Sequence, residues 1–248
     1  QHVVILKPRR PPRSTPFPCG ALYRYANENI SGTAKRSKQS ADNRDVAHMF
    51  RRFDRFPAAA RQGLSLHLIG WVDPGHELPS ESHLMIRAKS GEIPLFFGTD
   101  HDMHFPVNDV LWAENPPIIQ RLPADRIVKA TMSIEVSLPQ ASSFSKSEAQ
   151  HWLKQIDACI EDIVGVIFSF LMPDAHRLRV EVAPGATLEA VSGGNVCLLL
   201  DNRDVESRIF LLRVQDYPEG TVFRSSKPFV RVSVKIPGDP SFAFTPDK

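Results

Sequence analysis

No apolar run in this chain is long enough to cross a bilayer as a helix. The longest, residues 163–172, is broken by Gly165 and Ser169, whereas a spanning helix needs roughly 20 apolar residues. No transmembrane segment is expected. Cysteine is scarce, and the three present, Cys19, Cys159 and Cys197, are an odd number, so at least one thiol stands outside any disulfide within the chain. Two readings of the later pair stay open. Cys159 on the apolar side of a helix and Cys197 within the apolar run 196–200 can be small buried side chains, or a disulfide that ties helix to sheet. Cys19, between Pro18 and Gly20, is the more exposed thiol, but no base can be assigned to it.

Several reaction signatures are also absent. The chain has no Gly-x-Gly-x-x-Gly and no phosphate loop ending in Gly-Lys-Ser/Thr, so a nucleotide cofactor has no support. Nor is there a Gly-x-Ser-x-Gly nucleophile elbow. No repeat or heptad array organises the chain. Gln1 stands where an initiator methionine would, so the chain reads either as a processed product whose leader was removed or as a trimmed piece.

What is present is ordinary globular material, 42% hydrophobic and 23% charged over 248 residues, enough for one large domain or two small ones. Charge is unevenly placed. Residues 1–63 hold 13 Lys and Arg against four Asp and Glu, a net of +9, which leaves −7 for the remainder of a chain whose total is +2. A basic leading segment on an acidic body can dock internally or meet an anionic partner. Five prolines between Pro8 and Pro18 predict an extended arm over residues 7–18. Residues 32–44 predict a polar loop. Val46, Met49, Phe50 and Phe53 predict a short helix ended near Pro57.

From Leu64 the period becomes two. Leu64, Leu66 and Leu68 predict a strand over 64–70, and residues 84–88 and 93–97 flank the Ser90-Gly91 turn. The clearest strand is 127–138, where Val128, Ala130, Met132, Ile134, Val136 and Leu138 share one face and polar residues the other. One wet and one dry face indicates an antiparallel sheet. Ser145 and Glu148 form a capping-box spacing. Beyond it Trp152, Ile156, Ile160, Ile163 and Ile167 recur at helical intervals until Pro173-Asp174. Later strands are expected at 178–182, 196–200, 209–214 and 229–236. Of these, 196–200 is apolar throughout and is expected at the centre of a sheet.

The expected fold is α+β and mainly antiparallel β. A sandwich-like β region precedes one long amphipathic helix packed on a second antiparallel sheet. The expected division is a basic, Pro-rich arm with a short helix (1–63), an antiparallel β domain (64–138) and a helix-plus-sheet domain (139–248).

Candidate chemistry concentrates in Asp100-His101-Asp102-Met103-His104. Imidazole and carboxylate suit zinc, and His101, His104 and Asp102 are the metal candidates, within a stretch that also carries His67, His76 and His83. Against this, Gly98-Thr99-Asp100 reads as a turn, and His101 and His104 on a strand would face opposite ways. Asp201, Asp204 and Glu206 beside Arg203 and Arg208 offer paired carboxylates for acid–base work or calcium, or simply a charged loop. Tyr23 and Tyr25 amid the basic segment offer stacking surfaces for nucleic acid, although no recognition motif accompanies them.

The phrase 105–117, Phe-Pro-Val-Asn-Asp-Val-Leu-Trp-Ala-Glu-Asn-Pro-Pro, with Arg121-Leu122-Pro123 after it, resembles one found in uncharacterised secreted bacterial β-domain proteins. The likeness extends over 64–138. It implies a periplasmic or extracellular location, with a cytoplasmic one still open, and carries no catalytic residues. The function expected from all this is a non-enzymatic, extracytoplasmic interaction or accessory module with a protein partner. The competing classes are a metal-dependent hydrolase using the histidines of 67–104 and a binder of nucleic acid or another anionic partner through the basic segment.

Overall fold

The computed structural model describes residues 4–7, 24–27, 41–164, 177–234 and 241–245. Residues 8–18 of the Pro-rich arm, Cys19, Tyr23, the loop 32–40, the side chains of Tyr25 and Cys159, and the Pro173-Asp174 helix stop lie outside the described part. So do residues 235 and 236 of the last expected strand. The structure is α+β and mostly antiparallel β. In chain order its elements are β1 (Val4–Lys7), β2 (Arg24–Asn27), α1 (Asn43–Arg55), β3 (Leu64–Asp73), β4 (Met85–Ala88), β5 (Gly91–Pro94), α2 (Asp109–Glu114), β6 (Ile118–Ile119) and β7 (Ile127–Val136). There follow β8 (Ser143–Ser145), α3 (Lys146–Val164), β9 (Leu178–Val182), β10 (Thr187–Ser192), β11 (Asn195–Asp201), β12 (Arg208–Leu212), β13 (Val222–Ser225), β14 (Arg231–Val234) and β15 (Ser241–Phe244).

β7 organises the largest sheet. Along one edge β3 pairs with all ten of its residues, from Leu64 opposite Val136 to Asp73 opposite Ile127. The other edge is shared by β14 and β15, and β9 and then β12 continue outward from β14. Segments 64–138 and 139–248 therefore contribute strands to one six-stranded sheet. Its dry face is the one that the alternation predicts: Val128, Ala130, Met132, Ile134 and Val136 are buried, as are Leu68 and Val72 of β3 and Val180 and Val182 of β9. Apart from Val72, these residues share one apolar core with Val46, Met49 and Phe53 of α1 and with Ala149, Trp152, Leu153 and Ile156 of α3. Each of the Val, Leu, Ile, Met and Phe side chains among them contributes about 1.5–3 kcal/mol by leaving water.

Both principal helices start at capping boxes, which satisfy amides that the helix itself leaves unbonded. At α1, the Asp45 amide donates to Asp42 Oδ1 at 2.8 Å and the Asp42 amide to Asp45 Oδ2 at 3.1 Å. At α3, the Glu148 amide donates to Ser145 Oγ at 3.1 Å and the Ser145 amide to Glu148 Oε2 at 2.6 Å. α1 also grips the end of α2. Arg44 donates to the carbonyls of Trp112 and Ala113 at 2.9 and 3.1 Å, and the Arg51 guanidinium lies 4.5 Å from the Trp112 ring centre. Some of the basic charge of residues 1–63 is thus used internally, in cation–π contact and carbonyl bonding.

Besides the antiparallel pair β1-β2, two smaller sheets complete the described fold, β5-β4-β6 and β11-β10-β13-β8. The second corrects one expectation. β11 holds the apolar run 196–200, yet it is the outermost strand of its sheet, with Val196 and Leu198 exposed. A bulge explains the two successive buried leucines at the end of the run. Register shifts between Leu188 and Glu189, opposite Leu200 and Leu198, so the extra residue Leu199 turns inward beside Leu200 and both are buried. A bulge breaks the two-residue alternation, and with apolar Val196 and Leu198 on the exposed face the string is unbroken without a central strand.

Candidate functional site

Strand alternation that buries Leu68 and Met132 turns the intervening side chains to the other face of the six-stranded sheet. That face is half-buried and polar, with Ser65 and His67 on β3, Ser133 and Glu135 on β7, Arg231 on β14 and Glu181 on β9. Register sets the neighbours: Ser65 lies opposite Glu135, His67 opposite Ser133, and Arg231 opposite Glu181. A further segment then joins the edge of β3. The Gly70 amide donates to the His101 carbonyl at 2.7 Å and the Met103 amide to the Leu68 carbonyl at 2.8 Å, with Asp102 bridged antiparallel to Ile69. Residues paired across strands share a face, so Asp102 arrives on the side of Ile69 and His67.

The result is a chain of polar contacts centred on His67. Ser65 Oγ stands 2.8 Å from His67 Nε2, and His67 Nδ1 stands 2.5 Å from Asp102 Oδ2. Glu135 Oε2 lies 3.8 Å from Nε2 on the Ser65 side. Arg231 Nε comes within 2.9 Å of Glu135 Oε1, near enough to pair charges but not aligned as a hydrogen bond. The side chains of His67, Asp102 and Glu135 are 26, 24 and 20% exposed, so each keeps part of its surface in contact with solvent.

The charges perturb one another. Hydrogen bonding to Asp102 raises the His67 pKa above its ordinary value, with the charges of Glu135 and Asp102 adding and burial and Arg231 opposing. Burial raises that of Glu135, against the attraction of Arg231 and His67. In its neutral form with Nδ1 protonated, His67 donates to Asp102 and leaves the Nε2 lone pair toward the Ser65 hydroxyl. Once protonated, it donates on both sides.

The metal candidates separate. Asp102 is held by His67, the His101 ring places Nδ1 2.9 Å from the Gly70 carbonyl, and His104 sets its ring edge-on to Phe97 with Nε2 3.6 Å from Asp100 Oδ2. His76 and His83 are exposed. Among the described residues, no group of three or more His, Cys, Asp or Glu is arranged to hold a metal ion. Of the five clustered histidines, His67 is the one that enters the polar face. Its partners Ser65, Glu135 and Arg231 were not singled out from the sequence. Ser65 carried a faint signal, two residues from His67 on one strand face; Glu135 and Arg231 come from strands whose register no local pattern encodes.

The acidic loop after β11 is internally satisfied. Arg203 Nε lies 2.6 Å from Asp201, Arg208 pairs with Asp204, and the buried Asn202 amide donates to the carbonyls of Val182, Ala183 and Glu206. Cys197 is buried, with its sulfur 4.0 Å from the Leu198 carbonyl.

A second feature lies on the outer face of the four-stranded sheet. Val196, Val191 and Val222 are in register across β11, β10 and β13. Val196 and Val222 are 50 and 38% exposed, and Leu198, two residues along β11, is 53% exposed. Beside this row Arg224 Nε bonds Glu189 at 2.8 Å, which leaves the surround polar but charge-balanced. Among the described residues, no helix is long and apolar enough to cross a membrane. In comparisons with known proteins, no family model matches the sequence, and no curated protein or solved structure matches it.

Proposed function

We propose that the chain is an interaction or accessory module that docks a protein partner on the outer face of β11, β10 and β13. The observation that carries this reading is the row Val196–Val191–Val222, exposed at its two ends and half-buried at Val191, with exposed Leu198 beside it. Isolated exposed apolar residues are common on protein surfaces, but a contiguous row rimmed by polar groups marks an interaction site. The chemistry favours a protein over a nucleic acid, because Arg224 is already paired with Glu189 and phosphate binding draws on uncommitted cations. The matching surface on the partner is apolar with a neutral polar rim, the usual anatomy of a protein interface. The row supplies the centre of such a contact, which at standard size covers about 800 Å² per partner.

A photo-crosslinking residue in place of Leu198, in cells that make the protein, provides the test. A discrete protein adduct is expected, either with another chain or with a second copy, and Val196→Glu should abolish it. A chain that forms no adduct and stays monomeric at all concentrations contradicts the proposal, as does an adduct insensitive to Val196→Glu.

A further inference from the structure

Beyond partner docking, the geometry points to a nucleophilic site at Ser65, with His67 as its base and Asp102 as a positioning residue, acting on small uncharged carboxylic esters. Three functional groups are joined in one order: hydroxyl to Nε2 at 2.8 Å, then Nδ1 to carboxylate at 2.5 Å. That order lets a histidine accept a serine proton while the carboxylate fixes the ring tautomer and stabilises the imidazolium. The connectivity matters more than the fold that presents it, since unrelated folds arrive at the same arrangement. Here a straight strand supplies Ser65 and His67, two residues apart on one face, and the edge segment supplies Asp102.

The surroundings select the substrate. Asp102, Glu135 and Glu181 disfavour a carboxylate or phosphate ester, and Arg231 is committed to Glu135. Ile69 and Trp71 continue the same strand face beyond His67 and are half-buried, a platform for an apolar acyl group. In the reaction, Ser65 Oγ bonds to the ester carbonyl carbon while its proton passes to His67 Nε2. Collapse of the tetrahedral adduct breaks the bond to the alcohol, which leaves with that proton. Water then attacks the acyl-serine, giving its proton to Nε2, and the carboxylic acid departs as Ser65 recovers its hydrogen. Ester and water become acid and alcohol. Glu135, 3.8 Å from Nε2, stabilises the imidazolium formed in each half-reaction, with Arg231 opposing.

A fluorophosphonate probe tests the site on the intact chain, because attack at phosphorus expels fluoride and leaves a stable serine adduct. Mass spectrometry should place the adduct on Ser65. Labelling should disappear in Ser65→Ala, slow at least 100-fold in His67→Gln, in keeping with the usual worth of a general base, and persist in Ser133→Ala. The labelling rate of the unaltered chain should rise with pH as His67 loses its proton, facing Asp102, Glu135 and, through Glu135, Arg231. Hydrolysis of p-nitrophenyl butyrate should follow the same ranking. Absence of an adduct on Ser65 overturns the inference, and so does a rate unchanged in a folded His67→Gln chain. Should that variant fail to fold, the adduct map of the unaltered chain and its pH profile decide alone.

Discussion

The ring of Phe96 lies so close over Gly70 that a β-carbon built on that glycine would stand 2.3 Å from Phe96 Cζ. Gly70 is in the middle of β3, on the dry face, and Phe96 is itself buried. A glycine inside a strand often marks such an approach. Gly70→Ala is expected to cost about 1–3 kcal/mol, the usual penalty for overpacking, seen as a lower urea midpoint with unchanged slope. Adding Phe96→Leu should restore part of the loss. An alanine variant as stable as the parent would show that Phe96 does not occupy this place.

Within the run 196–200, neighbouring leucines should differ sharply. Leu198→Ser, at an exposed site, should change stability by no more than about 0.5 kcal/mol. Leu200→Ala, at a buried one, should cost about 2–5 kcal/mol. Chemical denaturation of the two variants checks the bulge. Equal penalties would mean that the alternation continues unbroken through β11.

Stability should also fall with rising pH. His67 and Glu135 both hold protons more readily in the folded chain than at their ordinary values of 6.5 and 4.5. The stabilisation from His67 is complete below its ordinary value and is lost as pH rises through the raised folded value. That from Glu135 has the same sign and is lost as pH rises through its own raised value. Glu219, whose pKa is lowered by its bond to Lys146, loses its contribution only on acidification. Unfolding free energies measured from about pH 6 to about pH 9, a window chosen around the imidazole range, should therefore decline. In His67→Gln that decline should flatten; an identical slope would remove His67 as its source.

The sequence displayed those parts of the fold whose signal is local. β7 alternates over ten residues with five buried on one side, and the Ser145–Glu148 box marks the start of α3 before any packing is known. β8, β10 and β13 escaped notice because they are three to six residues long and bury small or isolated groups, such as Ala190 and Phe223, among polar ones. The site was legible only in part. Nearness in sequence suggested that Asp102 works with His101 and His104, but alternation along the edge segment sends Asp102 to the polar face and buries Met103 on the other. Glu135 is 68 positions from His67 and Arg231 is 164. Only the pairings of β3, β7 and β14 bring them together, and such register depends on the whole sheet.

Nuclear magnetic resonance titration of the His67 ring, in the unaltered chain and in Asp102→Asn and Glu135→Gln, examines the polar cluster itself. The His67 pKa should lie above 6.5, fall most in Asp102→Asn because that hydrogen bond is its largest cause, and fall less in Glu135→Gln. A value at or below 6.5 that neither substitution moves would contradict the cluster at its centre.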